Sequence, residues 1–158
     1  MQKEKPYGFI LFSNGGNIMS NASKALPDIR QTIILKAPIE KVWAAVSTAE
    51  GIAAWFMPSD FEPIVGHEFH LEAGPWGKSK CKVTVVDQPN KLSFEWGKDW
   101  SLTFELVQDG DTTIFTLIHS GWYEDQETEF GQSHAVVRER MNGGWVGIVK
   151  KLQETVEA

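Results

Sequence analysis

Residues 37 to 56 read APIEKVWAAVSTAEGIAAWF, a run of helix formers that carries two tryptophans and is interrupted once, at Ser47-Thr48. Pro38 has the fixed φ that suits the first turn of a helix, and Ile39, Val42, Trp43 and Val46 follow as one apolar stripe. Thr48 and Glu50 suit the start of a second short helix, whose Ile52, Trp55 and Phe56 come just before the stop at Pro58. Two short helices with apolar faces must cover something, and the flanking sequence supplies it.

Upstream, Ile29, Gln31, Ile33 and Leu35 alternate with Arg30, Thr32, Ile34 and Lys36, the period of a half-buried strand. Downstream of Pro63 come five more strand-like runs, at 66–73, 80–87, 91–96, 100–108 and 112–122. The breaks between them, Gly74-Pro75, Gln88-Pro89-Asn90, Gly97-Lys98-Asp99 and Asp109-Gly110-Asp111, are turn material. Connections this short make an antiparallel meander, so a six-stranded sheet is expected. An acidic stretch, YEDQETEFGQS, follows and reads as a solvated loop. Val137, Met141, Trp145, Ile148, Val149, Leu152 and Val156 then recur at helical spacing, predicting one long C-terminal helix.

Alternation assigns the faces. Phe69 and Leu71, then Cys81, Val83 and Val85, then Leu92, Phe94 and Trp96, then Leu102, Phe104 and Leu106 share an inner face, opposite Lys80, Lys82, Ser93, Glu95, Thr103 and Glu105. The fold class is therefore α+β, with 25–158 as one domain and no internal repeat. Residues 1–24 lack this periodicity and read as a disordered arm, within which Met19 is a candidate translation start.

The totals exclude several functions. A length of 158 residues fits one core, and the 7 Trp and 9 Phe against 2 Tyr concentrate large apolar side chains. A net charge of -6 with no Lys/Arg cluster argues against nucleic acid. The single cysteine, Cys81, excludes an internal disulfide and multi-cysteine metal sites, which suits a cytoplasmic setting. No apolar run reaches the roughly 18 residues of a membrane span, so membrane insertion is not expected.

Catalytic motifs are scarce. His67 and His70 are three apart on a strand and point to opposite faces, unlike the i, i+4 helical pair of a zincin. Cys81 alternates with valines and reads as a small buried hydrophobe. His119-Ser120 are adjacent, so their side chains diverge, and the scattered acids Asp60, Glu62, Glu68 and Glu72 form no acid/base couple. His119 shares a strand face with Phe115 and Leu117, which makes it either a satisfied core histidine or a polar anchor at the end of a cavity. Gly143, Gly144 and Gly147 weaken a helix by about 1 kcal/mol each. They imply either close packing or room left for a guest beneath the helix.

The order strand, two short helices, curved meander and long C-terminal helix is that of the helix-grip fold. Ala37-Pro38 with Val42-Trp43, Trp55-Phe56, Phe61-Glu62-Pro63 through Gly66, Leu92 to Trp96, Thr113 through His119-Ser120-Gly121-Trp122, and Gly144-Trp145 to Leu152 resemble the bacterial SRPBCC proteins related to the activator of heat shock protein 90 ATPase. The resemblance spans about Ile29 to Leu152. It implies a small hydrophobic guest, lipid-like or aromatic, gripped between sheet and long helix, in a superfamily that also holds START lipid carriers, pollen allergens and polyketide cyclases. Trp55 and Phe56 would stand at the rim, Phe69, Trp76, Phe94, Trp96, Phe104 and Phe115 along the sheet, and His119 at one end. Met141, Gly144, Trp145 and Ile148 would close the cavity from the helix. No catalytic residue, metal or cofactor is carried over, and no protein partner is specified. Binding is the first reading; a cyclase- or hydrolase-like enzyme in the same cavity, or a co-chaperone-like stress-response module, are the alternatives.

Overall fold

The computed structural model describes residues 24–128 and 130–158, without the side chain of Trp76. Of the arm expected at residues 1–24, all but Lys24 lies outside the described residues, as does the candidate start at Met19. Six strands, β1 (Ile29–Leu35), β2 (Glu68–Glu72), β3 (Lys78–Asp87), β4 (Lys91–Trp96), β5 (Trp100–Asp109) and β6 (Thr112–Ser120), form one antiparallel sheet. Its order is β1-β6-β5-β4-β3-β2, so the first strand closes onto the last and the remaining strands follow as a meander. Two short helices, α1 (Ile39–Val46) and α2 (Ala49–Trp55), separate β1 from β2, and α3 (His134–Glu157) ends the fold. The curved sheet grips α3, an α+β helix-grip architecture, as the residue pattern predicts.

Local chemistry accounts for the helix ends. The hydroxyl of Ser47 donates to the Trp43 carbonyl at 2.6 Å as α1 ends, and the Thr48 hydroxyl caps α2 by accepting from Gly51 N–H at 2.9 Å. At its two ends α3 is tied to the β1 region: Arg138 Nε donates to the Pro27 carbonyl at 2.8 Å, and Glu157 accepts from Lys36 N–H at 2.8 Å. Along its length α3 buries Val137, Trp145, Val149, Leu152 and Val156.

The face assignment holds in most strands and fails at one place. In β3, Cys81 and Val83 are buried, but the register slips between Val83 and Val85, so Val85 pairs with Ser93 and Val86 with Leu92. A bulge adds one residue and reverses the faces beyond it, and Val86 therefore packs on the core where Val85 was expected. Ser93 is buried too, its hydroxyl bonded to that of Thr103 across the strands.

After β6 the chain turns at Gly121, where φ is +97° and a Cβ would stand 2.1 Å from the Asp99 carbonyl oxygen. Only glycine can pass so close. The turn delivers Trp122 to the core, with its ring 4.7 Å from Trp100 of the β4–β5 hairpin.

Candidate functional site

A cavity of about 400 Å³ opens where α2 ends, between the sheet and the first two turns of α3. Phe56, Met57 and Pro58 wall it from the α2 side; Glu72, Ala73 and Ser79 come from β2, β3 and their connection; Trp96 and Trp100 come from the β4–β5 hairpin. Thr128, Phe130 and Gln132 of the loop, with Val137, Arg140 and Met141 of α3, complete it. Most of this lining is apolar, with Glu72 and Arg140 the two charged residues.

Phe56 is the hinge between cavity and core. It sits at the C-cap of α2, its ring 5.7 Å from Trp96 and 5.2 Å from Trp145. One residue earlier, Trp55 stacks on Phe56 at 5.7 Å but lies deeper: its indole N–H donates to the Ala45 carbonyl at 2.9 Å and its ring packs edge-on against Phe104 and Phe115. The pair expected together at a rim is thus split, one ring in the core and one in the cavity wall.

Of the other residues assigned to the cavity from sequence, Trp96 and Met141 line it. Phe69, Phe94, Phe104 and Phe115 do not. They are at most 1% exposed and form a continuous aromatic chain with centroid spacings of 5.1, 6.2 and 5.7 Å, which is filled core. Trp145 and Ile148 pack on that core from α3. Gly144 is exposed, and a Cβ built there, or at Gly143 or Gly147, meets nothing within 4 Å. These glycines border open space and none lines the cavity, so the notion that they make room beneath α3 is set aside. Trp76 belongs to a 3-10 turn, Gly74–Trp76, and its side chain lies outside what the structure describes.

His119 lies behind the cavity wall, fully buried among four tryptophans. It stacks on Trp96 at 5.2 Å, while Trp100, Trp122 and Trp145 have centroids 4.9, 4.7 and 5.8 Å from it. Its Nδ1 accepts from Trp145 Nε1 at 3.0 Å, which assigns the imidazole proton to Nε2. Burial pushes its pKa down to about 3, with the Arg138 charge adding to the effect. The ring is therefore neutral at ordinary pH.

His134, the first residue of α3, is also fully buried. Its Nδ1 accepts from Tyr123 N–H at 3.1 Å and its Nε2 donates to Asp99 Oδ2 at 3.2 Å. With both nitrogens engaged it fastens the loop and α3 to the β4–β5 hairpin, and it has no free nitrogen for proton transfer. In β2, the backbone N–H of His70 donates to Asp60 Oδ1 at 2.7 Å and holds that carboxyl below the usual range, while His67 Nε2 lies 3.0 Å from the Asp60 carbonyl. This pair is a clamp on the segment before β2. No cluster of three or more His, Cys, Asp or Glu suited to a metal occurs among the described residues. Nor is any described helix long and apolar enough to cross a membrane.

Sequence reasoning missed Met57, Pro58, Thr128, Phe130 and Gln132, because loop residues carry no periodicity to reveal which way they face. Trp100, Val137 and Arg140 did carry a signal. Trp100 precedes inner-facing Leu102 by two on β5, and Val137, Arg140 and Met141 stand at i, i+3 and i+4 on α3.

The family model for "Activator of Hsp90 ATPase homolog 1-like protein" matches residues 36–157. The chain belongs to this family. Among solved structures it is similar to the Bacillus halodurans protein BH1534, with 49% identity over 84% of this chain and 99% of that one, at a TM-score of 0.76. The Mesorhizobium loti protein MLL2253 shares the fold at 24% identity, over 82% of this chain and 96% of that one, with a TM-score of 0.73. The Aha1 dimer of Colwellia psychrerythraea does so at 21% identity, over 84% and 97% of the two chains, with a TM-score of 0.69. None of the curated proteins compared matches the chain.

Proposed function

We propose that this family member binds a small, largely apolar molecule in the cavity between the sheet and the start of α3. The observation that carries this reading is the volume of about 400 Å³ bordered by Phe56, Met57, Trp96, Trp100, Val137 and Met141, within the usual range for small-molecule sites. A filled core would leave no such space. An enzymatic reading finds less support, because His119 is buried behind the wall and His134 has both nitrogens bonded.

Naphthalene and N-phenyl-1-naphthylamine serve as apolar probes. At about ten times its dissociation constant, a bound probe adds roughly 1.4 kcal/mol of stability and raises the Tm by about 3–5 °C. Val137→Trp, which places an indole in the cavity, should remove the shift and the fluorescence enhancement of the naphthylamine. Equal binding to this variant and to the native chain would place the probes elsewhere and end the proposal.

A further inference from the structure

Beside the main cavity lies a recess of about 10 Å³, bordered by Trp96, Lys98, Asp99, Trp100 and Thr128. Three of these five residues, Trp96, Trp100 and Thr128, also border the main cavity. The recess has room for about one oxygen atom.

Its walls carry an unmet demand. The buried indole nitrogens of Trp96 and Trp100 have no hydrogen-bond partner among the described residues, and neither has His119 Nε2. Trp96 is 3% exposed, and the three rings are neighbours, with centroids 4.9 to 5.2 Å apart. Buried donors are nearly always paired, because leaving one unmet forfeits its hydration without return. Edge-to-face contacts of Trp96 on Trp100 and of Trp100 on His119 offer an N–H no more than a ring face, a weaker partner than oxygen.

The same recess presents an acceptor. Asp99 borders it, with its carboxylate 3.2 Å from His134 Nε2 and 3.7 Å from Lys98 Nζ. Thr128 Oγ1 accepts from Phe130 and Gln132 N–H at 3.2 and 3.3 Å, which leaves its hydroxyl proton to donate. An oxygen placed here has two unpartnered indole donors and a carboxylate among the residues that border it. A hydroxyl satisfies both, since it accepts and donates. A carboxylate does not, because the charged residues around the two spaces, Arg140 and Lys98 against Glu72 and Asp99, cancel and leave no surplus positive charge to replace its hydration.

We infer that the guest of this cavity is an apolar molecule bearing an uncharged hydroxyl, seated with its oxygen in the recess, accepting from the indole N–H groups of Trp96 and Trp100 and donating to Asp99. This rests on the binding reading above.

Naphthalene, 2-naphthol and 2-naphthoate share one ring system and differ at one substituent, so their affinities for the full-length chain isolate the oxygen. 2-Naphthol should bind about fivefold more tightly than naphthalene, the return of a net hydrogen bond, and 2-naphthoate more weakly than 2-naphthol. In proton–nitrogen spectra the Nε1–H resonances of Trp96 and Trp100, assigned by Trp96→Phe and Trp100→Phe, should move downfield with 2-naphthol beyond their shift with naphthalene. Either phenylalanine variant should lose most of the preference; if a variant does not fold, the affinity order of the three probes for the native chain still decides.

Equal affinity of naphthalene and 2-naphthol, with matching indole shifts, would overturn the hydroxyl assignment and leave the cavity reading standing. Tightest binding by 2-naphthoate would overturn it in favour of an anion site. If no probe binds, the cavity reading falls and this inference falls with it.

Discussion

Trp145 Nε1 donates a hydrogen bond to His119 Nδ1 at 3.0 Å, between two side chains at most 1% exposed. It is a polar tie in an otherwise aromatic layer, joining the middle of α3 to the end of β6. By fixing how α3 lies over the sheet, it also fixes where Val137 and Met141 stand relative to Trp96, and hence the width of the cavity.

That bond requires a neutral imidazole, which makes stability depend on pH in a defined direction. His119 is held at a pKa of about 3 when folded, against 6.5 for an ordinary histidine. Below about pH 6.5 the unfolded chain takes up a proton that the folded chain refuses, so the contribution is complete above that value and is lost as pH falls toward 3. Between about pH 7.5 and about pH 5 the loss is about 2 kcal/mol. His119→Gln keeps an acceptor for Trp145 and does not titrate. Urea unfolding of both chains at the two pH values should show the native protein losing about 2 kcal/mol more than the variant. Parallel pH dependence would mean that His119 is protonated in the folded protein.

Much of this fold was legible because each strand and helix advertises a period. Thr48 was readable as a cap from its place before an apolar run, and its hydroxyl does accept from Gly51 N–H. Alternation, however, tells only which face a side chain joins, and cannot say whether the space beyond that face is filled. Phe94 and Trp96 share one strand face, yet Phe94 is locked between Phe69 and Phe104 while Trp96 borders the cavity. The difference is set by Phe56, Thr128, Phe130 and Gln132, whose positions depend on tertiary packing. The bulge at Val83/Val85 was hidden for a related reason, since Val85-Val86 are equally apolar and either could face inward.

Gly51 offers a second test, of how closely α2 must approach α1. A Cβ at this position would stand 2.6 Å from the Ala44 carbonyl oxygen and 2.7 Å from that of Ala45. Both obstacles are backbone, so α2 must move outward, and the Trp55 indole bond to the Ala45 carbonyl stretches with it. Gly51→Ala gains about 1 kcal/mol of helix propensity but meets an overpacking cost of about 1–3 kcal/mol. A net loss of up to about 2 kcal/mol is expected, seen as a Tm lower by as much as roughly 8 °C. Because Phe56 caps the same helix, naphthalene should also bind this variant more weakly. A variant more stable than the native chain would mean that the two helices tolerate separation.

The glycines of α3 should behave oppositely. Gly143, Gly144 and Gly147 are helical, exposed, and surrounded by open space where a Cβ would stand. Alanine there meets no steric obstacle, removes backbone freedom from the unfolded chain and suits the helix better. Each of Gly143→Ala, Gly144→Ala and Gly147→Ala should therefore add about 1 kcal/mol and raise the Tm by about 2–4 °C. Since none of the three borders the cavity, naphthalene affinity should not change. A loss of stability at any one of them would show that its glycine is needed for a bend in α3 or for contact with a partner. Unchanged stability with altered naphthalene affinity would instead tie that part of the helix to entry of the guest.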